Sequence, residues 1–174
     1  MRLFLAIPLS REMKRQAEDI QEDFCRQRVR GNYSPEENLH ITLAFIGEYD
    51  DPDRVLECLE SVSFQPFAIT ADRVGSFGSL WWMGFQPSAE LERLVKQIRR
   101  ALAEGEIPFD RKRFQAHVTL LRRPECPDGQ VAFPEPEPVT MTVRHFSLMQ
   151  STRGKNGMIY TELGFVRARE NPQI

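Results

Sequence analysis

The sequence predicts an α+β protein with mostly antiparallel sheets, and three observations carry that expectation. Apolar residues recur at helical spacing in three separate stretches, and the segments between them have the alternation and β-branched content of strands. Turn residues fold two pairs of those segments into hairpins. Strands and helices therefore alternate irregularly, which argues against a doubly wound parallel sheet.

The chain opens on "RLFLAIP", residues 2–8, an apolar run of strand length. Its apolar core is only about six residues and no small-residue cleavage site follows, so it reads as a first strand and not as a leader. Met13, Ala17, Ile20 and Phe24 then recur at steps of four, three and four, with Ser10 as N-cap. The segment "RGNYSPEEN" reads as a loop into a second strand, "LHITLAFIGE". Asp51 and Pro52 form a cap and first-turn pair for a helix whose stripe is Val55, Leu56, Leu59 and Val62. Residues 66–86 read as a hairpin about Gly78 and Ser79; Trp81 and Trp82 point to opposite faces, one into the core and the other a candidate for base stacking. Leu91, Leu94, Val95, Ile98 and Leu102 mark the clearest helix. The connector "GEIPFDRKRF" leads to the strand "HVTLLRR", and "FPEPEP" is too short to separate domains. Two final strands are expected at about 139–150 and 158–166, joined by "STRGKNG".

Composition bounds the function. The 174 residues, 41% hydrophobic and 28% charged, have the balance of one soluble domain, with no apolar run long enough for a membrane span. A net charge of −2 disfavours non-specific duplex binding. Three widely spaced cysteines, Cys25, Cys58 and Cys126, fit reduced structural thiols and, with the absence of a leader, the cytosol. Arg111, Lys112, Arg113, Arg122 and Arg123 form a local basic group with no acidic residue between 111 and 123, either a solvated rim or an anion-attracting cleft.

One pattern occurs twice. His40-Ile41-Thr42-Leu43 and His117-Val118-Thr119-Leu120 lie 77 residues apart, and they use two of only three histidines in the chain. Period-two alternation turns Ile41, Leu43, Val118 and Leu120 to the core and His40, Thr42, His117 and Thr119 to the opposite face. Packed face to face about a pseudo-twofold axis, the two halves would bring all four polar groups to one cleft. Two imidazoles supply a base and an acid at the same pH, the pairing that displacement at phosphorus requires, and hydroxyls can hold the non-bridging oxygens. Arg122 adds a guanidinium suited to phosphate, although strict alternation places it on the core side with Leu120 unless the strand twists or bulges.

Other chemistries lack their parts. No H-x-x-x-H or Cys-His cluster suggests a zinc site, and no G-x-S-x-G, P-loop or G-x-G-x-x-G is present. Asp50, Asp51 and Asp53 are explained by helix capping. His145 reads as structural or surface, and Tyr160 as core packing, with contact to a base or phosphate as its alternative. Arg153 and Lys155 are candidates for reaching RNA.

The double H-[IV]-T-L pattern, "NLHITLAFIGE" with "HVTLLR", resembles the RNA 2′,3′-cyclic phosphodiesterase (2′-5′ RNA ligase) family of the two-histidine phosphoesterase superfamily. "RLFLAIPLS", "FSLMQS" and "GMIYTEL" resemble its opening strand and closing hairpin. Gln115-Ala116 departs from it where a proline is common. The resemblance implies a single two-lobed domain over residues 1–174, with helices outside, a cleft between pseudo-symmetric lobes, and neither metal nor cofactor. It also implies opening of 2′,3′-cyclic phosphate ends of RNA or small cyclic nucleotides to 2′-phosphomonoesters, with reverse 2′-5′ joining in some members. By position His40 would be the acid and His117 the base, with Thr42, Thr119 and Arg122 on the phosphate. From the residues alone either histidine could take either role. A non-catalytic RNA-end or nucleotide-binding module, and a phosphodiesterase acting on ADP-ribose cyclic phosphate, are the alternatives. No membrane partner is expected, and the oligomeric state is open, a monomer being the simplest case.

Overall fold

The computed structural model describes residues 1–170. Among them lie β1 (Arg2–Pro8), α1 (Arg11–Arg26), β2 (Arg30–Tyr33), β3 (His40–Glu48), α2 (Pro52–Leu59), β4 (Phe67–Phe77), β5 (Leu80–Phe85), α3 (Ala89–Glu104), β6 (His117–Glu125), β7 (Thr140–Val143), β8 (His145–Gly154) and β9 (Gly157–Arg167). The strands form one sheet in the order β7-β4-β5-β6-β3-β1-β8-β9, with β2 paired to β6 off that path. Every observed pairing is antiparallel. The α+β, antiparallel expectation holds.

The halves meet side by side and not face to face. β3 and β6 are neighbours through the pair Ile41 and Val118, with β1, β8 and β9 beyond β3 and β5, β4 and β7 beyond β6. Helix α1 packs on β6, while α2 and α3 pack on each other and on β9 and β3. Each helix presents the stripe its spacing predicts: Met13, Ala17, Ile20 and Phe24 in α1, Val55 and Leu59 in α2, and Leu91, Leu94, Val95, Ile98 and Leu102 in α3 are all buried. They join Leu3, Leu5, Ile7, Ile41, Leu43, Met83, Val118 and Leu120 in one contiguous core. Fully burying a side chain of this size contributes about 1.5–3 kcal/mol. Ser10, Asp51 and Ser88 cap the three helices, each accepting from a backbone N–H three residues on.

Three expectations change. Arg30–Tyr33, read as loop, is a strand: all but the half-buried Tyr33 are exposed, there is no apolar alternation, and pairing to β6 orders them. The single strand expected over 139–150 breaks at Arg144 into β7, which pairs with β4, and β8, which pairs with β1. Helix α2 ends at Leu59, so Val62 is buried beyond it and not on its stripe.

Candidate active site

Strands β3 and β6 hold the two copies of the motif in nearly the same way. His40 and Thr42, like His117 and Thr119, are half-buried, whereas Ile41, Leu43, Val118 and Leu120 are fully covered. Because the strands are antiparallel and paired at Ile41 and Val118, the register sets His40 opposite Thr119 and Thr42 opposite His117, all on one face. At regular sheet spacing the α-carbons of the two histidines stand roughly 8 Å apart. That separation lets two imidazoles flank a single phosphorus.

Each ring is fixed by its own chain two residues back. His40 Nδ1 lies 2.7 Å from the Asn38 carbonyl oxygen, and His117 Nδ1 lies 2.7 Å from that of Gln115. A carbonyl accepts only, so both Nδ1 atoms carry hydrogen and both Nε2 atoms are left for chemistry. Gln115 supplies the same contact as Asn38 through its backbone. His40 Nε2 also meets Thr42 Oγ1 at 2.9 Å.

Electrostatics separates these imidazoles from ordinary ones. Burial pushes the pKa of both below 6.5; the backbone bonds to Asn38 and Gln115 oppose this, and the charge of Arg122 adds to the lowering at each ring. His40 also feels His117. Neither imidazole is readily charged until an anion arrives beside it.

Arg122 reaches this face because β6 bulges. In the pairing with β5, Trp82 lies opposite Thr119 and Trp81 opposite Leu121, so Leu120 is an extra residue. One inserted residue inverts the alternation: Leu120 and Leu121 are both buried, and Arg122 turns out, exposed. β3 repeats the device, since Ala6 pairs with Thr42 and Leu5 with Ala44, leaving Leu43 extra. The position equivalent to Arg122 is then Phe45, 52% exposed, whose ring lies 6.1 Å from Phe4. The halves thus share a backbone and differ in charge.

Aromatic rings wall both histidines. Phe4 lies 5.1 Å and Tyr160 5.3 Å from the His40 ring, Tyr160 edge-on, and Phe77 meets the His117 ring edge-on at 5.3 Å. Phe77 in turn rests on Trp82 at 4.9 Å. Trp82 is buried, and its indole fills a slot made by two glycines: a Cβ on Gly75 or Gly84 would fall 2.6 or 2.7 Å from it. It therefore supports the wall and has no open face for a base. Trp81 packs on Phe24 in the core as expected of one of the pair.

Tyr160 is placed at the site beside His40 and not in the core, the alternative of its two readings from the sequence. Phe4 and Phe77 were not singled out from the sequence at all. His145 starts β8 against Phe165 at 6.2 Å and has no part in the pair. Arg153 lies exposed in β8, and Lys155 in the tight turn that follows. Arg111, Lys112 and Arg113 are exposed on the connector before β6, where Lys112 and Asp110 approach to 4.0 Å. Among the described residues no group of three or more His, Cys, Asp or Glu side chains is arranged to hold a metal ion, and no helix is long and apolar enough to cross a membrane.

The sequence and the fold resemble those of known proteins. Residues 9–155 match the 2′-5′ RNA ligase superfamily. The RNA 2′,3′-cyclic phosphodiesterase of Archaeoglobus fulgidus is 35% identical over 175 residues, covering 94% of this chain and 98% of that protein. The protein of the same name from Thermotoga maritima is 30% identical over 179 residues, covering 94% and 93%. The crystal structure of Escherichia coli LigT in apo form superposes with a TM-score of 0.85 at 27% identity, covering 97% of this chain and 98% of that one. Its complex with 3′-AMP gives 0.83 at 26% identity. Since both H-x-T strands lie inside a match that spans most of its length, the chain belongs to the 2′-5′ RNA ligase superfamily.

Proposed function

We propose that this protein hydrolyses 2′,3′-cyclic phosphate ends of RNA, or of small nucleotides, to 2′-phosphomonoesters, and can run the reverse 2′-5′ joining step. The observation that carries the reading is the pair of tautomer-fixed imidazoles on adjacent strands, each two residues from a threonine on the same face, with one guanidinium whose charge reaches both rings. The names of the relatives support the substrate class, and the LigT complex with 3′-AMP supports a nucleotide-sized ligand.

We assign the roles as the family resemblance implies them, and the geometry accommodates them. His117 Nε2 takes a proton from water as its oxygen attacks phosphorus. The bond from phosphorus to O3′ breaks on the opposite side, and His40, protonated at Nε2, gives that proton to O3′. The phosphate stays on O2′. Thr42, Thr119 and Arg122 hold the non-bridging oxygens through the change. In the neutral ring Nε2 carries no hydrogen and accepts from the Thr42 hydroxyl; once His40 is charged, its Nε2–H is given to O3′ and the Thr42 hydroxyl is free for a non-bridging oxygen. We assign no metal to any step.

The two motifs are nearly symmetric, so the assignment of acid to His40 and base to His117 follows the family resemblance, and the product shows which phosphorus–oxygen bond breaks. Incubation with nucleoside 2′,3′-cyclic monophosphates in EDTA is expected to give the 2′-monophosphate at the full rate. A 3′ product would mean that the bond to O2′ breaks instead, activity abolished by EDTA would bring in a metal, and binding without turnover would leave a nucleotide-binding module.

A further inference from the structure

The bulge that delivers Arg122 leaves the carbonyl of an extra residue to be satisfied from outside the ladder with β5. Leu120 O accepts from Gln21 Nε2 at 2.8 Å and from Ser34 N at 2.9 Å, and Gln21 Nε2 also donates to Ser34 O at 2.9 Å. Two carbonyl oxygens around one nitrogen require a group with two N–H bonds, which a primary amide supplies. Gln21 comes from α1, on the core side of the sheet, 99 residues away from Leu120 in sequence. The three residues make a closed set in which the Gln21 amide and the Ser34 backbone between them fill both lone-pair positions of Leu120 O.

We infer that Gln21 is a positioning residue for Arg122: by clamping the Leu120 carbonyl it holds the β6 bulge whose inverted alternation turns the guanidinium onto the face shared by His40 and His117. The inference rests on Arg122 serving the phosphate as proposed above. Regular alternation would send Arg122 to the core side, among buried apolar residues where a guanidinium has no counter-ion, so the bulge is the conformation that makes Arg122 usable. β2 joins the same clamp, since Tyr33 pairs with Leu121 and Asn32 with Arg122. Removing the two amide donors leaves Leu120 O with Ser34 N alone, so the bulge loses its side-chain anchor while β2 and β5 still pair with Leu121 and Arg122.

The test replaces Gln21 with methionine, which keeps length and volume and removes both donors. Misplacing a binding group by about 1 Å costs up to roughly 100-fold in rate; Gln21→Met is expected to lower kcat/KM for a nucleoside 2′,3′-cyclic monophosphate by about 10-fold or more. NMR titration is expected to show both imidazole midpoints rise, because the guanidinium no longer stands beside them. Adding Gln21→Met to Arg122→Gln is expected to cost nothing further, since both act through one group. A lower Tm with wild-type kcat/KM and unchanged midpoints would overturn the inference, as would losses that multiply in the double variant. Gln21→Asn, which keeps the amide but withdraws it by about 1.5 Å, gives the same directions at smaller size should Gln21→Met not fold. If the wild type fails to turn over the cyclic substrate, the proposed reaction is wrong, while the midpoints still report whether Gln21 places Arg122.

Discussion

His40→Ala and His117→Ala are each expected to lower kcat for a nucleoside 2′,3′-cyclic monophosphate by about 10²–10⁴-fold, the range for losing one positioned acid or base. The double variant is expected to be little worse than the poorer single one, because proton removal and proton donation serve one transition state. Neither change should unfold the protein. Both rings are half-buried and face the site, and what each leaves behind is a backbone carbonyl, of Asn38 or Gln115, and for His40 the Thr42 hydroxyl as well, which water can reach in the vacated space. A circular dichroism melt close to wild type alongside the lost activity would confirm that chemistry and not folding was removed. Full activity in either single variant would end the two-histidine mechanism.

Arg122→Ala is expected to cost about 10²–10³-fold in kcat/KM, the usual loss when a fixed donor to developing charge is deleted. It also carries a pH signature. A neighbouring positive charge disfavours protonation, so Arg122 holds both imidazoles lower than burial alone would. Since the free enzyme needs one ring charged and one neutral, the bell of kcat/KM against pH is expected to centre on the acid side of 6.5 in the wild type. Removing the guanidinium raises both pKa values, and the centre moves to higher pH. The apparent limbs belong to the pair and not to either ring. A variant with the loss of rate but an unmoved bell would mean that Arg122 binds substrate away from the imidazoles.

The two duplicated tetrapeptides were legible because a strand of period two shows its sides in the sequence: His40 and Thr42, His117 and Thr119 could be assigned to one face without knowing the neighbours. Their convergence was legible only as a condition, and it is met by an arrangement other than the one imagined. β3 and β6 pair edge to edge, and nothing in either sequence names its partner strand. The bulges at Leu43 and Leu120 were hidden for a different reason. An extra residue in a strand alters no composition, and Leu-Leu at 120 and 121 reads as an ordinary apolar step. That is why alternation alone put Arg122 on the core side.

The aromatic walls depend on sheet order, which is tertiary information. Phe4 reaches His40 because β1 pairs with β3, and Tyr160 because β9 lies one strand beyond β8. Phe77, at the end of β4, meets His117 directly and rests on Trp82 of β5. Arg30–Tyr33 became a strand through pairing with β6 and not through any preference of its own. The duplicated backbone therefore explains why two equivalent imidazoles exist. The unduplicated residues, Arg122 against Phe45 and Phe77 against the pair Phe4 and Tyr160, explain how the two could serve different ends of one reaction.

The central claim is that residues 40 and 117 address a single phosphate. Nitrogen-15 imidazole spectra recorded while a nucleoside 2′-monophosphate is added test it most directly. The account predicts that both Nε2 resonances move together with one midpoint, at one ligand per chain, and that both rings become easier to protonate as the phosphate binds. Movement of one ring alone, or two midpoints at different ligand concentrations, would contradict it.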